Sequence, residues 1–232
     1  MWSEWVSPET IDSRIWPRTA AIAERFWSPQ EVNEVDDMYR RLAVVSLQLE
    51  ELGMTHKRNQ HVLLRRLVGN DDISALQTLV SLIEPVKQYQ RYQQRPQSML
   101  SPLTGLIDAA QADSSGTRDF NSLVERYLNA GKSSEAAGLI RMKFEKWEKH
   151  GKELELLMSR SPALFEAKQL PTDLRNVAKI GNEALEMLSA GKTASAEWHD
   201  NAMKAFDAAA KPKAAVELQI ISGLRKLVGA AS

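Results

Sequence analysis

Two residues near the start of the sequence, Trp2 and Glu4, combine types suited to binding a carbohydrate. Residues i and i+2 of a strand project to the same face. An indole there gives a sugar ring a flat apolar surface, and a carboxylate accepts hydroxyl hydrogen bonds that its charge strengthens. The same spacing also fits a core tryptophan beside a solvated glutamate, because W-x-E is too short to be specific.

The remaining polar groups read as structural. Asp36-Asp37 and Asp71-Asp72 fall at predicted helix starts, where the helix dipole favours anions, and Glu50-Glu51 is a solvated pair near a helix end. His56, His61, His150 and His199 are scattered, and the first two are not the i,i+4 pair of a zinc helix, so no metal or cofactor is expected. Glycine-rich phosphate loops, G-x-S-x-G elbows and cysteine nucleophiles are missing. Lys87, Tyr89, Arg91, Tyr92 and Arg95 form a small basic-aromatic stretch, read as a solvated helix face rather than a nucleic-acid site. Arg14, Arg18 and Glu24 are expected to form a partly buried ion-pair cluster. Trp5, Trp16, Trp27, Trp147 and Trp198 are expected in packing.

The elements that must position these groups are mainly helical. Residues 1–6 alternate like a short strand. Pro17 suits a helix N1 position, and Ala20, Ile22, Ala23, Phe26 and Trp27 succeed it at helical spacing. Ser28, Pro29 and Glu31 predict a second helix start through a capping box. Met38, Leu42, Val45, Leu49 and Leu52 then mark one helical face, which Gly53 closes. Asn70-Asp71-Asp72 caps a further helix, and Pro85 interrupts or kinks the chain after it. Beyond residue 57 the pattern predicts helices and loops with no strand. Helices are expected over about 119–130, 133–158, 172–190, 193–210 and 213–229, with 93–118 as an irregular surface stretch. Gly151 sits in the gap of an apolar row and weakens the case for an unbroken second helix of that set.

The totals agree with two compositional units. Of 232 residues, 43% are hydrophobic, enough for a real core. Net charge is zero, but residues 1–56 hold 5 Lys+Arg against 10 Asp+Glu, so the remainder is basic by the same margin. Neither balance favours nucleic acid or an anionic membrane. No apolar run approaches the roughly 18 residues of a membrane span.

The run W-S-E, then D-S-R-I-W-P-R, then A-E-R-F-W-S-P resembles the final segment of the catalytic barrel in family 20 glycoside hydrolases, the β-N-acetylhexosaminidases. It covers about the first 55 residues, through Arg14, Trp16, Pro17, Arg18, Ala23, Glu24, Arg25, Trp27 and Ser28. The resemblance implies that Trp2 lines the pocket for an N-acetylhexosamine ring and that Glu4 binds hydroxyls on its far side. It implies substrate-assisted hydrolysis of terminal N-acetylhexosamines from glycans, using an adjacent Asp-Glu pair on an earlier strand that nothing here matches. The expected partner is then the missing N-terminal barrel, roughly 300 residues long. The residues themselves leave the compartment unknown; the resemblance implies a periplasmic or secreted parent only as an expectation from the family's bacterial members.

The expected fold is mainly α: residues 1–56 as the last strand and helices of a (β/α)8 barrel, then 57–232 as a bundle-like helical domain. This segment alone is expected to be inactive. The other reading makes it a non-catalytic scaffold or oligomerisation module.

Overall fold

The computed structural model describes residues 5–94, 98, 101–129, 131 and 134–232. The chain is mostly helical. Three helices open it: α1 (Ile11–Ile15), α2 (Arg18–Trp27) and α3 (Val35–Glu51). Then come α4 (Arg58–Val68), α5 (Ser74–Val80), strand β1 (Ile83–Pro85), and the short α6 (Gln90–Gln94) and α7 (Leu106–Ala109). The larger helices are next, α8 (Ser115–Asn129), α9 (Ser134–Arg160), α10 (Leu170–Ser189) and α11 (Ala196–Ala209), then β2 (Val216–Leu218) and α12 (Ile221–Gly229). A 3-10 turn, Pro162–Ala167, reverses the chain between α9 and α10.

The core centres on α9 and α10, packed antiparallel. Ile140, Phe144, Trp147, Gly151, Leu154 and Met158 form the buried stripe of α9, at three- and four-residue spacing. Leu174, Val177, Ala178, Gly181, Leu185 and Leu188 answer it from α10. Gly151 does not break its helix. A Cβ there would lie 2.3 Å from Arg175 Cγ, so the missing side chain is what lets α10 approach. Gly181 plays the same part against Phe144 and Leu224, each 2.6 Å from its ideal Cβ. Helices α8 and α12 close the other sides, and α5 covers α9.

Local signals fix the ends. Ser195 caps α11 by accepting from the Trp198 N–H at 3.2 Å. Gly53 and Gly191 come just after α3 and α10 with φ of +95° and +64°, conformations that cost glycine little.

Four expectations are corrected. First, a two-stranded antiparallel sheet is present, with Ile83 opposite Leu218 and Pro85 opposite Val216, where helix and loop were expected. Pro85 ends an edge strand, a position that needs no ladder donor. Second, the helix expected from about residue 213 begins only at Ile221, after β2. Third, Ser28 starts no helix. It is the extended C-cap of α2, and α3 begins seven residues on at Val35. Pro17 correspondingly stands at the N-cap of α2 rather than inside it. Fourth, Phe26 and Trp27 are exposed, at 86% and 94%, because no other described element covers that face of α2.

Candidate functional site

Trp2 and Glu4, the residues expected to hold a sugar, lie outside the described residues. The first described residue is Trp5, at a bend ahead of α1. Trp5 is half-buried. The Arg91 guanidinium, from α6, stands over its indole, 4.8 Å from the ring centroid. That contact is a cation–π interaction, worth most when desolvated.

Arg91 is itself buried. Its Nη2 donates to Asp108 Oδ1 on α7 at 2.8 Å, with the two side chains 7% and 2% exposed. The other carboxylate oxygen of Asp108 accepts the Gly105 N–H at 2.9 Å. The basic-aromatic stretch is therefore not uniformly solvated: Tyr89 and Tyr92 are exposed, but Arg91 turns inward, while Arg95 lies outside the described residues. Sequence reasoning missed this pair. The signal that could have found it was Asp108 itself, a carboxylate inside the apolar run Leu106, Ile107, Ala109, Ala110, where burial demands a cationic partner.

The turn after Trp5 is clamped from a second side. Ser7 and Thr10 form a local hydrogen-bonded turn, with Ser7 N–H donating to Thr10 Oγ1 at 2.9 Å. Asp12 Oδ2 accepts from Thr55 N–H and Oγ1 at 2.7 and 2.8 Å. Asn59 donates to the Glu9 carbonyl, and Arg66 pairs with the Glu9 carboxylate. Arg14 donates to the Ala110 carbonyl at 3.4 Å. Burial pulls the Arg14 pKa down, the nearby Asp108 carboxylate opposes this, and the cations Arg91 and Arg18 add to the fall. Residues 5–15 thus dock on α4 and on the α6–α7 region. A cleft of about 510 Å³ adjoins the dock, lined in part by Arg91, Asp108, Thr104 and Glu166.

The other candidates resolve individually. The expected Arg14–Arg18–Glu24 cluster does not form. Glu24 instead accepts from Arg41 of α3 at 2.8 Å, and Arg18 donates to the Arg14 carbonyl. Asp36 and Asp37 sit in the first turn of α3, where Asp37 binds Arg40. Asp72 accepts from Ser74 ahead of α5, which lowers its pKa. Glu50 pairs with Lys57. Trp147 is core, Trp198 packs at its edge, Trp16 is half-buried, and Trp27 is the exception to expected packing. Among the described residues, no three His, Asp or Glu gather as a metal-ligand set.

Comparison with known proteins extends the reading to the first residues. Residues 1–30 match the family model described as glycosyl hydrolase family 20, catalytic domain. A solved Flavobacterium johnsoniae chitobiase is similar across 98% of this chain, at 34% identity and a TM-score of 0.86. Both matches point to similarity with glycoside hydrolase family 20. Family members with shorter matches include the probable beta-hexosaminidase fdl of Drosophila melanogaster, 42% identical over 59 residues, which is 23% of this chain and 9% of that protein. The human beta-hexosaminidase subunit beta is 37% identical over 54 residues, again 23% of this chain and 10% of the relative. This chain spans 34% of the chitobiase. No helix among its described residues is long and apolar enough to cross a membrane.

Proposed function

We propose that this chain is the C-terminal part of a β-N-acetylhexosaminidase. Residues 1–56 would supply the last strand and helices of its (β/α)8 barrel, and residues 57–232 a helical domain braced against them. The observation that carries the reading is the match of residues 1–30 to the family's catalytic domain, continued by 34% identity to a chitobiase along nearly the whole chain. The bare apolar face of α2, with Ile22, Phe26 and Trp27 exposed, supports it, because a barrel helix needs a sheet beneath that face.

On this reading Trp2 stacks on the terminal N-acetylhexosamine of a glycan, and Glu4 accepts hydrogen bonds from its hydroxyls. The acetamido carbonyl oxygen of the substrate attacks the anomeric carbon as the glycosidic bond breaks. An acid donates a proton to the departing oxygen. That acid, and the aspartate that orients the acetamide, come from the barrel strands of the parent. Trp2 and Glu4 bind and orient; they do not move protons.

The test is hydrolysis of a chromogenic N-acetylglucosaminide by the parent enzyme and by this segment. Turnover by the parent, weakened by Glu4→Ala, and none by residues 1–232 alone is the expected result. Turnover by the segment that Glu4→Ala abolishes would overturn the division of labour.

A further inference from the structure

We propose that a cleft where α1 to α3 meet α4 and α8 binds an acidic sugar, a pyranose that carries a carboxylate or phosphate. The cleft has a volume of about 390 Å³, within the range of clefts that hold small molecules. Helices α1 to α3 supply one wall, and α4 with the start of α8 supplies the other.

The base is closed and the lining is amphipathic. Ser46 and His56, bonded to each other at 2.7 Å, are buried at the base. Trp16, Pro17 and Leu42 give the lining its apolar part. A pyranose needs such a surface, because its C–H groups form an apolar face that an indole covers well.

Polar groups in the cleft are open to a ligand. The Tyr39 hydroxyl, the Gln111 amide and the Ser115 hydroxyl make no hydrogen bond to another described residue, and none of them is buried without a partner. They turn to solvent instead. Each can donate as well as accept, as ring hydroxyls do, so a sugar can replace water there bond for bond.

Charge then selects among sugars. Three cations, Arg18, Lys57 and Arg118, line the cleft against one carboxylate, Asp113. Arg118 pairs with Asp113 at 2.8 Å and stacks on the Tyr39 ring, 3.7 Å from its centroid. Lys57 pairs with Glu50. Arg18 donates to the Arg14 carbonyl at 2.9 Å and has no carboxylate partner among the described residues. Its planar fork keeps donors for an anion, and that fork suits carboxylate and phosphate alike. A neutral sugar would leave this charge unused.

The experiment titrates the complete parent enzyme calorimetrically with glucuronate, glucose monophosphate, glucose and inorganic phosphate. Saturable binding of one or both acidic sugars is expected, about tenfold tighter than glucose or phosphate alone. The tighter of the two names the charged group. Arg18→Gln should weaken the acidic sugars about tenfold, and Tyr39→Phe should weaken them about threefold. Ala43 is exposed on α3 and lines the cleft, so Ala43→Phe fills the space without entering the core and should abolish binding. It carries the test if Arg18→Gln does not fold. Turnover of a chromogenic N-acetylglucosaminide should stay within about twofold in all these variants. Four results would overturn the inference: no saturable binding, glucose or phosphate binding as tightly as the acidic sugars, binding that survives Ala43→Phe, or turnover lost together with binding. A parent that binds the acidic sugar but turns over no N-acetylglucosaminide would refute the catalytic reading and leave this site intact.

Discussion

His56 Nε2 lies 2.7 Å from Ser46 Oγ, and both residues are buried, at 1% and 4% exposure. The pair ties the end of α3 to the start of the helical core. The other ring nitrogen, Nδ1, is buried without a hydrogen-bond partner. Burial lowers the His56 pKa, Glu50 and Asp12 oppose that fall, and Lys57 adds to it. His150, bonded to Thr78, is lowered by burial as well. Between each folded pKa and the ordinary value of about 6.5, the unfolded chain binds more protons than the folded one. Stability should therefore be full above about pH 6.5 and decline as pH drops below it. Thermal unfolding across that range reads this directly. His56→Gln, which cannot take the proton, should flatten the decline; an unchanged slope would assign it elsewhere.

Two glycines in the long helices should respond with opposite signs to alanine. Gly181→Ala forces a methyl into Phe144 and Leu224 and should cost about 1–3 kcal/mol. Gly138 has nothing within 4 Å of its ideal Cβ, so Gly138→Ala should stabilise by about 0.5–1 kcal/mol through helix propensity. Urea midpoints at constant slope would measure both.

Phe120, Phe144 and Trp147 form a three-way edge-to-face cluster, with centroids 4.9 to 5.7 Å apart. It joins α8 to α9 at the middle of the core. Phe144→Ala should remove about 3–5 kcal/mol, a large part of the stability of such a unit. A loss below about 1 kcal/mol in denaturant titrations would mean the cluster collapses to fill its own void.

The bare face of α2 should govern how the isolated segment behaves. Ile22, Phe26 and Trp27 expose neighbouring apolar surface of the kind that drives association. Residues 1–232 should self-associate in sizing experiments, and Phe26→Asp with Trp27→Asp should shift them toward monomer. The same double change in the parent should lower its unfolding temperature, since the proposed barrel covers this face. Monomeric wild type at high concentration would contradict the first half.

Much of the helical core could be read from periodicity. The α9 stripe from Ile140 to Met158 and the stops at Gly53, Gly131 and Gly191 depend on neighbours in sequence, and all appear in the structure. Long-range pairings could not be read this way. Three-residue strands such as Ile83–Pro85 carry no usable alternation, and only pairing with Val216–Leu218 defines them. Ser28, Pro29 and Glu31 satisfied a local capping rule, yet the Arg25 guanidinium binds the Ser28 and Pro29 carbonyls and holds the segment as a turn. Arg91 failed for the same reason: a basic residue between tyrosines looks solvated until Asp108, seventeen residues later, folds back onto it.

The β1–β2 pairing has a consequence for how this protein is made. Its two strands bracket α6 to α11 in the sequence, and the Ala194 N–H also donates to the Ala231 carbonyl. A ribosome releases the chain from its N-terminus at about 5–20 residues per second, and domains fold largely as units. Helices α4 to α11 thus leave the tunnel before residues 216–231 arrive to cover α8 and α10, with Phe120 beside Gly223. For those seconds the nascent chain presents an unfinished apolar interior, a state in which chaperones and correct timing matter more than final stability.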